Sequence, residues 1–240
     1  MTATVPLRAL LLVSSLILVP SAQACPTTAP APTADRGDTV ARVGELLAIG
    51  LPHDDRHGED AGATCLYELV DGTWTLSGEL ELPREAGDLF GSAVAMTGDR
   101  LLVGAMGATD DDGRTGSAHL FVRTASSWTH EHRLRPDDLR DGDHFGWSVA
   151  LSEDLAVVGA PLADRAGNGV AHVFRNDGSG WTASRLLTST SDDLLFVGNA
   201  ITMDDTSIVV QAESIESGTD TVELLFDRGA DAHARLRMLD

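Results

Sequence analysis

The chain has 240 residues and a formal net charge of -20, and all 17 of its basic residues are arginines. Such an acidic surface repels phosphate groups, which argues against nucleic acid or an anionic membrane surface as a partner. The hydrophobic content of 42% is ordinary for a globular protein. The length suits one all-β domain or two smaller ones.

Residues 1–24 are typical of a signal peptide. Arg8 precedes an apolar run at 9–19, Pro20 ends the run, and Ala-Gln-Ala at 22–24 fits a cleavage site. The run is too short to anchor the chain stably in a bilayer. We therefore expect an exported mature chain that is secreted, periplasmic or attached to a bacterial envelope.

Cys25 follows the cleavage site directly, at the place where bacterial lipoproteins carry a lipidated cysteine. Ala22 and Gln23 depart from the lipoprotein pattern, so simple secretion is favoured, while lipidation of Cys25 stays open. A lipid there would be the only link to a membrane. Residues 25–34 are then a Pro/Thr/Ala linker, which we expect to be extended and not to fold.

Residues 35–240 contain four repeats of roughly 54 residues. Apolar runs ending in a Gly-Ala type pair recur at 46–52, 100–106 and 156–162, and a Trp-Thr pair closes each of the first three repeats. The fourth repeat is degenerate, with IVVQA at 208–212 in place of AVVGA. A period of this length predicts a stacked or circular fold. The repeats span 35–87, 88–142, 143–192 and 193–240.

Each repeat contains four strand-like runs, which in the third repeat lie at 145–151, 155–160, 170–175 and 181–187. Val, Ile, Leu, Phe, Trp and Thr fill the runs, and Gly, Asp, Asn and Ser fill the gaps. Only three residues (152–154) separate the first two runs, which predicts an antiparallel hairpin. Four antiparallel strands repeated in this way predict β-propeller blades.

The segments FGWSVA at 145–150 and VGAP at 158–161 resemble the FG-GAP repeat of integrin α-chain propellers and many bacterial surface proteins. The resemblance extends over residues 35–240. It implies an all-β propeller of about four four-stranded blades whose loops bind proteins or glycans, usually at a cell surface. The family more often has seven blades, so the chain either closes with four or completes a ring with another copy.

The family's usual calcium loop is missing from this sequence. Integrin-type repeats carry an Asp-rich loop between the FG strand and the GAP strand, whereas only three residues stand there at 97–99 and 152–154. Calcium takes six to eight oxygen ligands, which a three-residue turn cannot supply. We therefore predict no metal at these positions and no cofactor.

Two polar clusters could bind a metal but are better explained as solvated loops. Asp110 and Asp112 stand beside Gly113, yet no further calcium ligand follows at the right spacing. His53 and His57 lie among carboxylates at 53–60, a composition that can ligate zinc, but in a loop rather than on one helix face.

Cys65, His119 and His172 occupy the same place in the first three repeats, with Leu224 in the fourth, which predicts packing positions on the third strand. This placement argues against a disulfide between Cys65 and Cys25, because a strand position would have to meet a flexible tail. Export would nevertheless permit one.

We expect an exported, non-catalytic binding or adhesion-type module that recognises a protein or a glycan. The sequence contains no G-x-S-x-G elbow and no phosphate loop, so no catalytic, cofactor-binding or metal-binding residue is assigned. Two alternatives stay open. One is a polysaccharide-acting hydrolase with its site at the propeller channel, and the other is a structural subunit of a surface assembly.

Overall fold

A computed structural model describes residues 25–29, 39–109, 113, 115–125, 127–163, 168–189, 193–214, 221–228 and 235–236. The predicted signal peptide at 1–24, residues 30–34 of the predicted linker and the Asp110–Asp112 cluster lie outside the described residues. Every regular element in the described part is a β-strand. No helix that could span a membrane occurs among these residues.

Seventeen strands form four antiparallel sheets. Sheet 1 consists of β1 (Thr39–Val43), β2 (Leu46–Leu51), β3 (Ala63–Val70) and β4 (Thr73–Glu79). Sheet 2 consists of β5 (Phe90–Thr97), β6 (Arg100–Thr109), β7 (Thr115–Arg123) and β8 (Trp128–Leu134). Sheet 3 consists of β9 (Ser148–Leu151), β10 (Leu155–Ala160), β11 (Val170–Asn176) and β12 (Trp181–Leu187). Sheet 4 consists of β13 (Leu194–Leu195), β14 (Ile201–Met203), β15 (Ser207–Ser214), β16 (Thr221–Asp227) and β17 (Arg235–Leu236).

Each sheet is one blade with its strands in chain order. In sheet 4, β13 and β14 pair with successive parts of β15, so the first strand position is divided into two short pieces. The predicted all-β fold of four-stranded antiparallel blades is therefore confirmed. The connection at 152–154 is a tight turn, as predicted, in which the amide of Ser152 donates to the carbonyl of Leu155 at 2.8 Å.

Consecutive sheets pack face to face, and β10 explains why the central strands are continuously apolar. All six residues of β10 are buried. Leu155 and Val157 belong to the core between sheets 3 and 4, whereas Ala156 and Val158 belong to the core between sheets 2 and 3. Because both faces of the strand are covered, alternation of apolar and polar residues disappears. A third core joins sheets 1 and 2 in the same way.

The N-terminal segment is attached to sheet 1, which corrects the sequence prediction. The amide of Ala29 donates to the carbonyl of Trp74 at 3.2 Å, and the amide of Leu76 donates to that of Thr27 at 2.9 Å. These bonds place residues 27–29 beside β4, so this part of the linker is paired rather than free. Composition did not predict this pairing.

Cys25 and Cys65 form a disulfide, with their Cα atoms 5.7 Å apart. The sequence disfavoured this bond because it placed Cys25 on a flexible tail, whereas the tail is held at the edge of sheet 1. The disulfide joins a small core that includes Leu47, Ile49 and Tyr67 on the side of sheet 1 facing away from sheet 2. With its sulfur in a disulfide, Cys25 has no thiol for lipidation.

Candidate binding grooves between the sheets

A glycine contact joins each sheet to the next. Gly50, Gly104 and Gly159 of the second strands lie against the carbonyl oxygens of Gly91, Gly146 and Gly198 in the following repeat, and a Cβ on any of the first three would overlap that oxygen. Hydroxyls of the first strands donate to the same oxygens: Thr39 to Gly91 at 2.8 Å, Ser92 to Gly146 at 3.1 Å and Ser148 to Gly198 at 2.6 Å. We call this contact the glycine joint.

The residue before each FG pair holds a left-handed backbone. Leu89, His144 and Phe196 have φ values of 54°, 54° and 55°. A non-glycine residue pays about 1–2 kcal/mol for this conformation. The turn places the next residue beside the preceding sheet, where it forms an isolated parallel bridge to a glycine. The bridges are Gly62–Phe90, Gly116–Phe145 and Gly169–Val197. β9 begins at Ser148 and not at residue 145, where the strand was predicted to begin, whereas β5 begins at the equivalent Phe90.

A groove of about 430 Å³ lies between sheets 2 and 3, and we call it the second groove. One wall is β8 with the loop after it, and the other is β11 with β12. Charged side chains of both signs line it beside aromatic rings, a mixture typical of sites that orient a polar ligand. Its lining includes His132, Arg133, Arg135, Asp137, Asp138, His172, Phe174, Trp181 and Arg185.

Trp181 and His172 are the most deeply placed polar groups of the second groove. Trp181 is 6% exposed, and its indole N–H has no acceptor among the described residues. Such a buried, unpaired donor costs about 1–3 kcal/mol. Burial lowers the pKa of His172 to about 4 despite the opposing charge of Asp138, so the imidazole is neutral at pH 7. Its ring lies edge-on to Phe145, 5.3 Å between centroids.

A smaller groove of about 290 Å³ lies between the loop after β4 (82–88) and sheet 2, and we call it the first groove. Three of its side chains form a hydrogen-bonded row. Ser117 Oγ is 2.9 Å from His119 Nε2, and His119 Nδ1 is 3.2 Å from His130 Nε2. Burial, with smaller contributions from His130 and Arg133, lowers the pKa of His119 to about 3. The imidazole of His119 is therefore uncharged at neutral pH.

Arg84 closes the inner end of a charged network beside the first groove. Arg56 bonds Asp54 at 2.8 Å and Glu79 at 2.7 Å, and Arg84 Nη2 donates to the other oxygen of Glu79 at 3.0 Å. Burial favours the neutral acid, yet hydrogen bonds from Arg56 and Arg84 hold the pKa of Glu79 below its ordinary value. The guanidinium of Arg84 also lies over the ring of Phe90, 5.4 Å from its centroid.

The structure separates the histidine cluster that the sequence singled out at 53–60. His53 Nδ1 lies 2.9 Å from Asp60 on the surface, whereas Asp54 is turned toward Arg56. His57 lies 3.6 Å from Glu79 instead. Within the described ranges, no group of three or more His, Cys, Asp or Glu side chains is arranged to hold a metal. The cluster at 110–112 lies outside those ranges.

The predicted third-strand packing positions are confirmed. Cys65, His119, His172 and Leu224 are all buried, and all lie on the third strand of their sheets. The sequence did not reveal that His119 and His172 each form the floor of a groove, nor that Arg84 and Trp181 join them there. The recurring Trp-Thr pair marked Trp181 as a blade boundary only.

Comparison with known families identifies the repeats. The model of the FG-GAP repeat matches residues 84–121 and 128–174. Residues 84–174 contain FG-GAP repeats. These two matches cover most of the second and third repeats, including β8, the loop after it and β11 up to Phe174, but not β12. The two glycines of the motif form the glycine joint. The FG glycine supplies the carbonyl oxygen, and the GAP glycine of the preceding repeat has no side chain that would overlap it.

No curated protein matches the chain. One similar solved structure is an exo-β-1,3-galactanase from Phanerochaete chrysosporium, crystallised with β-1,3-galactotriose. The identity is 9%, the TM-score is 0.47, and the match covers 85% of this chain and 49% of the galactanase. The chain thus spans about half the length of that enzyme.

Proposed function

We propose that the chain is an exported, non-catalytic binding module that recognises a glycan, or a protein that presents one, at the cell envelope or outside the cell. The observation that carries this proposal is the second groove. Guanidinium groups, carboxylates and imidazoles line it together with an indole N–H that has no acceptor in the part of the chain that the structure describes. Sugar hydroxyls both donate and accept hydrogen bonds, so a sugar suits a wall with charges of both signs better than a purely anionic or apolar ligand does.

Two features support the exported setting. The pattern of residues 1–24 is that of a signal peptide. The Cys25–Cys65 disulfide suits an oxidising compartment, since such bonds are rare in the reducing cytosol. Proteins with FG-GAP repeats are commonly extracellular or associated with a surface, which agrees with both.

The proposal includes neither a nucleic acid partner nor a lipid anchor nor a bound metal. The net charge of -20 opposes phosphate backbones. The disulfide occupies the sulfur that a lipid would need. The short turns at 97–99 and 152–154 offer too few oxygen atoms for calcium. A second copy completing the ring belongs to the structural alternative and not to this binding function.

The test is calorimetric titration of the purified exported protein with cellohexaose, xylohexaose, maltohexaose and mannohexaose. We expect saturable binding of at least one of them. Trp181→Phe keeps the aromatic packing and removes the indole N–H, which should weaken that binding about tenfold, the value of one buried hydrogen bond. Trp74→Phe is the matched control, because Trp74 holds the same repeat position away from the second groove.

Each alternative function has its own signature in the same samples. Release of shorter sugars during incubation would show that the chain is a hydrolase and not a non-catalytic binding module. A concentration-dependent dimer that binds none of the sugars would favour the structural subunit. Equal affinities for the wild type and Trp181→Phe, with binding present, would remove the second groove from the proposal.

A further inference from the structure

Arg84 occupies a place where the next repeat has leucine. The amide of Glu85 donates to Asp88 Oδ2 at 2.8 Å, and in the next repeat the amide of Arg140 donates to Asp143 Oδ2 at 2.7 Å. These matching turns align Arg84 with Leu139, the residue before each of them. Leu139 is buried in the core between sheets 2 and 3. The fold therefore requires only an apolar side chain here, and the guanidinium needs a separate explanation.

Bonding to Glu79 does not account for the whole guanidinium. Only Nη2 is engaged, while Nε and Nη1 are buried and have no acceptor among the described residues. The side chain is 3% exposed, and it forms part of the lining of the first groove. A buried guanidinium N–H normally has a partner, so two unpaired ones beside a groove indicate that an acceptor enters from outside the chain.

The charges around the first groove indicate what kind of acceptor this is. Arg84 and Arg133 line it together with Glu85 and Asp88, so positive and negative groups balance. An anion would meet both carboxylates. A neutral hydroxylated ligand can accept from the arginines and donate to the acids, and the ring of Phe90 provides an apolar surface beside them.

We infer that the first groove is a second sugar-binding site, in which Arg84 donates from Nε and Nη1 to the oxygens of one neutral sugar residue. The inference rests on the proposed function and adds a second site for the same ligand class. Two sites on one chain would engage a long glycan together, which raises its apparent affinity above that of a short oligosaccharide when the glycan spans both.

The experiment measures stoichiometry and a local signal on the full exported chain. Calorimetry with the four neutral hexasaccharides should give two sugar sites per chain for the wild type and one for Arg84→Leu. Leu139 shows that leucine fits this turn, and near-ultraviolet circular dichroism checks that the variant folds. Arg84→Lys is the second variant, because it keeps a charge for Glu79 while removing the guanidinium N–H groups. Saturating sugar should also shift the Nε–H resonance of Arg84, which is assigned by its loss in Arg84→Leu.

The outcomes separate this inference from the proposed function. One site in the wild type that Trp181→Phe weakens and Arg84→Leu leaves unchanged keeps the second groove and overturns the inference. If Arg84→Leu loses all binding and Trp181→Phe binds as the wild type does, sugar binding at the first groove is supported and sugar binding at the second groove is overturned. Binding of trigalacturonate with none of the neutral sugars overturns the neutral ligand class. No saturable binding of any probe overturns both proposals.

Discussion

A histidine held between two sheets makes stability depend on acidity. His119 is buried against Phe90, with ring centroids 5.9 Å apart, and both of its nitrogens have partners in Ser117 and His130. A charged imidazole there would lose its hydration without gaining a carboxylate. The surroundings therefore favour the neutral ring, and the fourth repeat places Leu224 at the equivalent position.

This burial predicts a loss of stability in acid that His119→Leu reduces. The pKa of His119 is about 3 in the folded chain, below the unfolded value of about 6.5. Stability from the neutral ring is thus fully present above pH 6.5 and is lost as the pH falls toward 3. The free energy of unfolding is measured by urea denaturation at pH 6.5 and at pH 4. Between these two values we expect it to fall by about 3 kcal/mol less in His119→Leu than in the wild type.

The control for this measurement is His132→Leu at an exposed position of β8. It should follow the wild-type pH dependence, because it leaves the buried imidazole of His119 in place. If the free energy of unfolding changed with pH by the same amount in His119→Leu and in the wild type, the fold would not be keeping the imidazole of His119 neutral.

At the scale of the strands, the glycine joint sets how closely neighbouring sheets approach. Because Gly104 has no side chain, it leaves a gap, which we call the notch, and the carbonyl oxygen of Gly146 fills it. The hydroxyl of Ser92 donates to the same oxygen. Backbone lies on both sides of this contact, so no flexible side chain can move aside. The joint is therefore intolerant of even one methyl group.

We predict that Gly104→Ala lowers the free energy of unfolding by about 3 kcal/mol, the upper end of the usual cost of overpacking. Gly78→Ala is the matched control, since Gly78 lies in β4 with open space around its Cα and an ordinary φ. Guanidinium denaturation of both variants measures the difference. A Gly104→Ala protein as stable as Gly78→Ala would mean that the sheets separate without cost.

Sequence patterns predicted single elements well and contacts between repeats poorly. The predicted runs at 155–160 and 181–187 coincide with β10 and β12. Composition is local, so it could mark 25–34 as extended but could not show that β4 binds part of it. Arg84 escaped notice for the same reason, since its significance depends on a leucine 55 residues further on and on residues of another sheet.

For the whole molecule, the short turns predict a fold that needs no calcium. The hydroxyl of Ser152 is engaged in the turn at 152–154, and Asp154 forms an ion pair with Arg228 of sheet 4. We expect the melting temperature to be the same in millimolar calcium and in excess chelator, because a metal stabilises only the state that binds it. Scanning calorimetry of the exported protein measures this.

Potassium in place of calcium at equal ionic strength is the control, because screening alone alters an acidic protein. A rise in melting temperature specific to calcium would locate a metal site and would direct attention first to residues 110–112.

The glycine joint also bears on how such a chain grows. Each of the first three repeats provides a notch, and each of the last three provides the carbonyl that fills one. Duplication of a whole internal repeat therefore recreates a matched joint at both new boundaries without any compensating substitution. Gln211 occupies the notch position of the fourth repeat, and Ala200 stands where Ser148 donates in the third. Gene duplication can thus lengthen the array between its first and fourth repeats, whereas a repeat added after the fourth would meet a side chain where the others meet a gap.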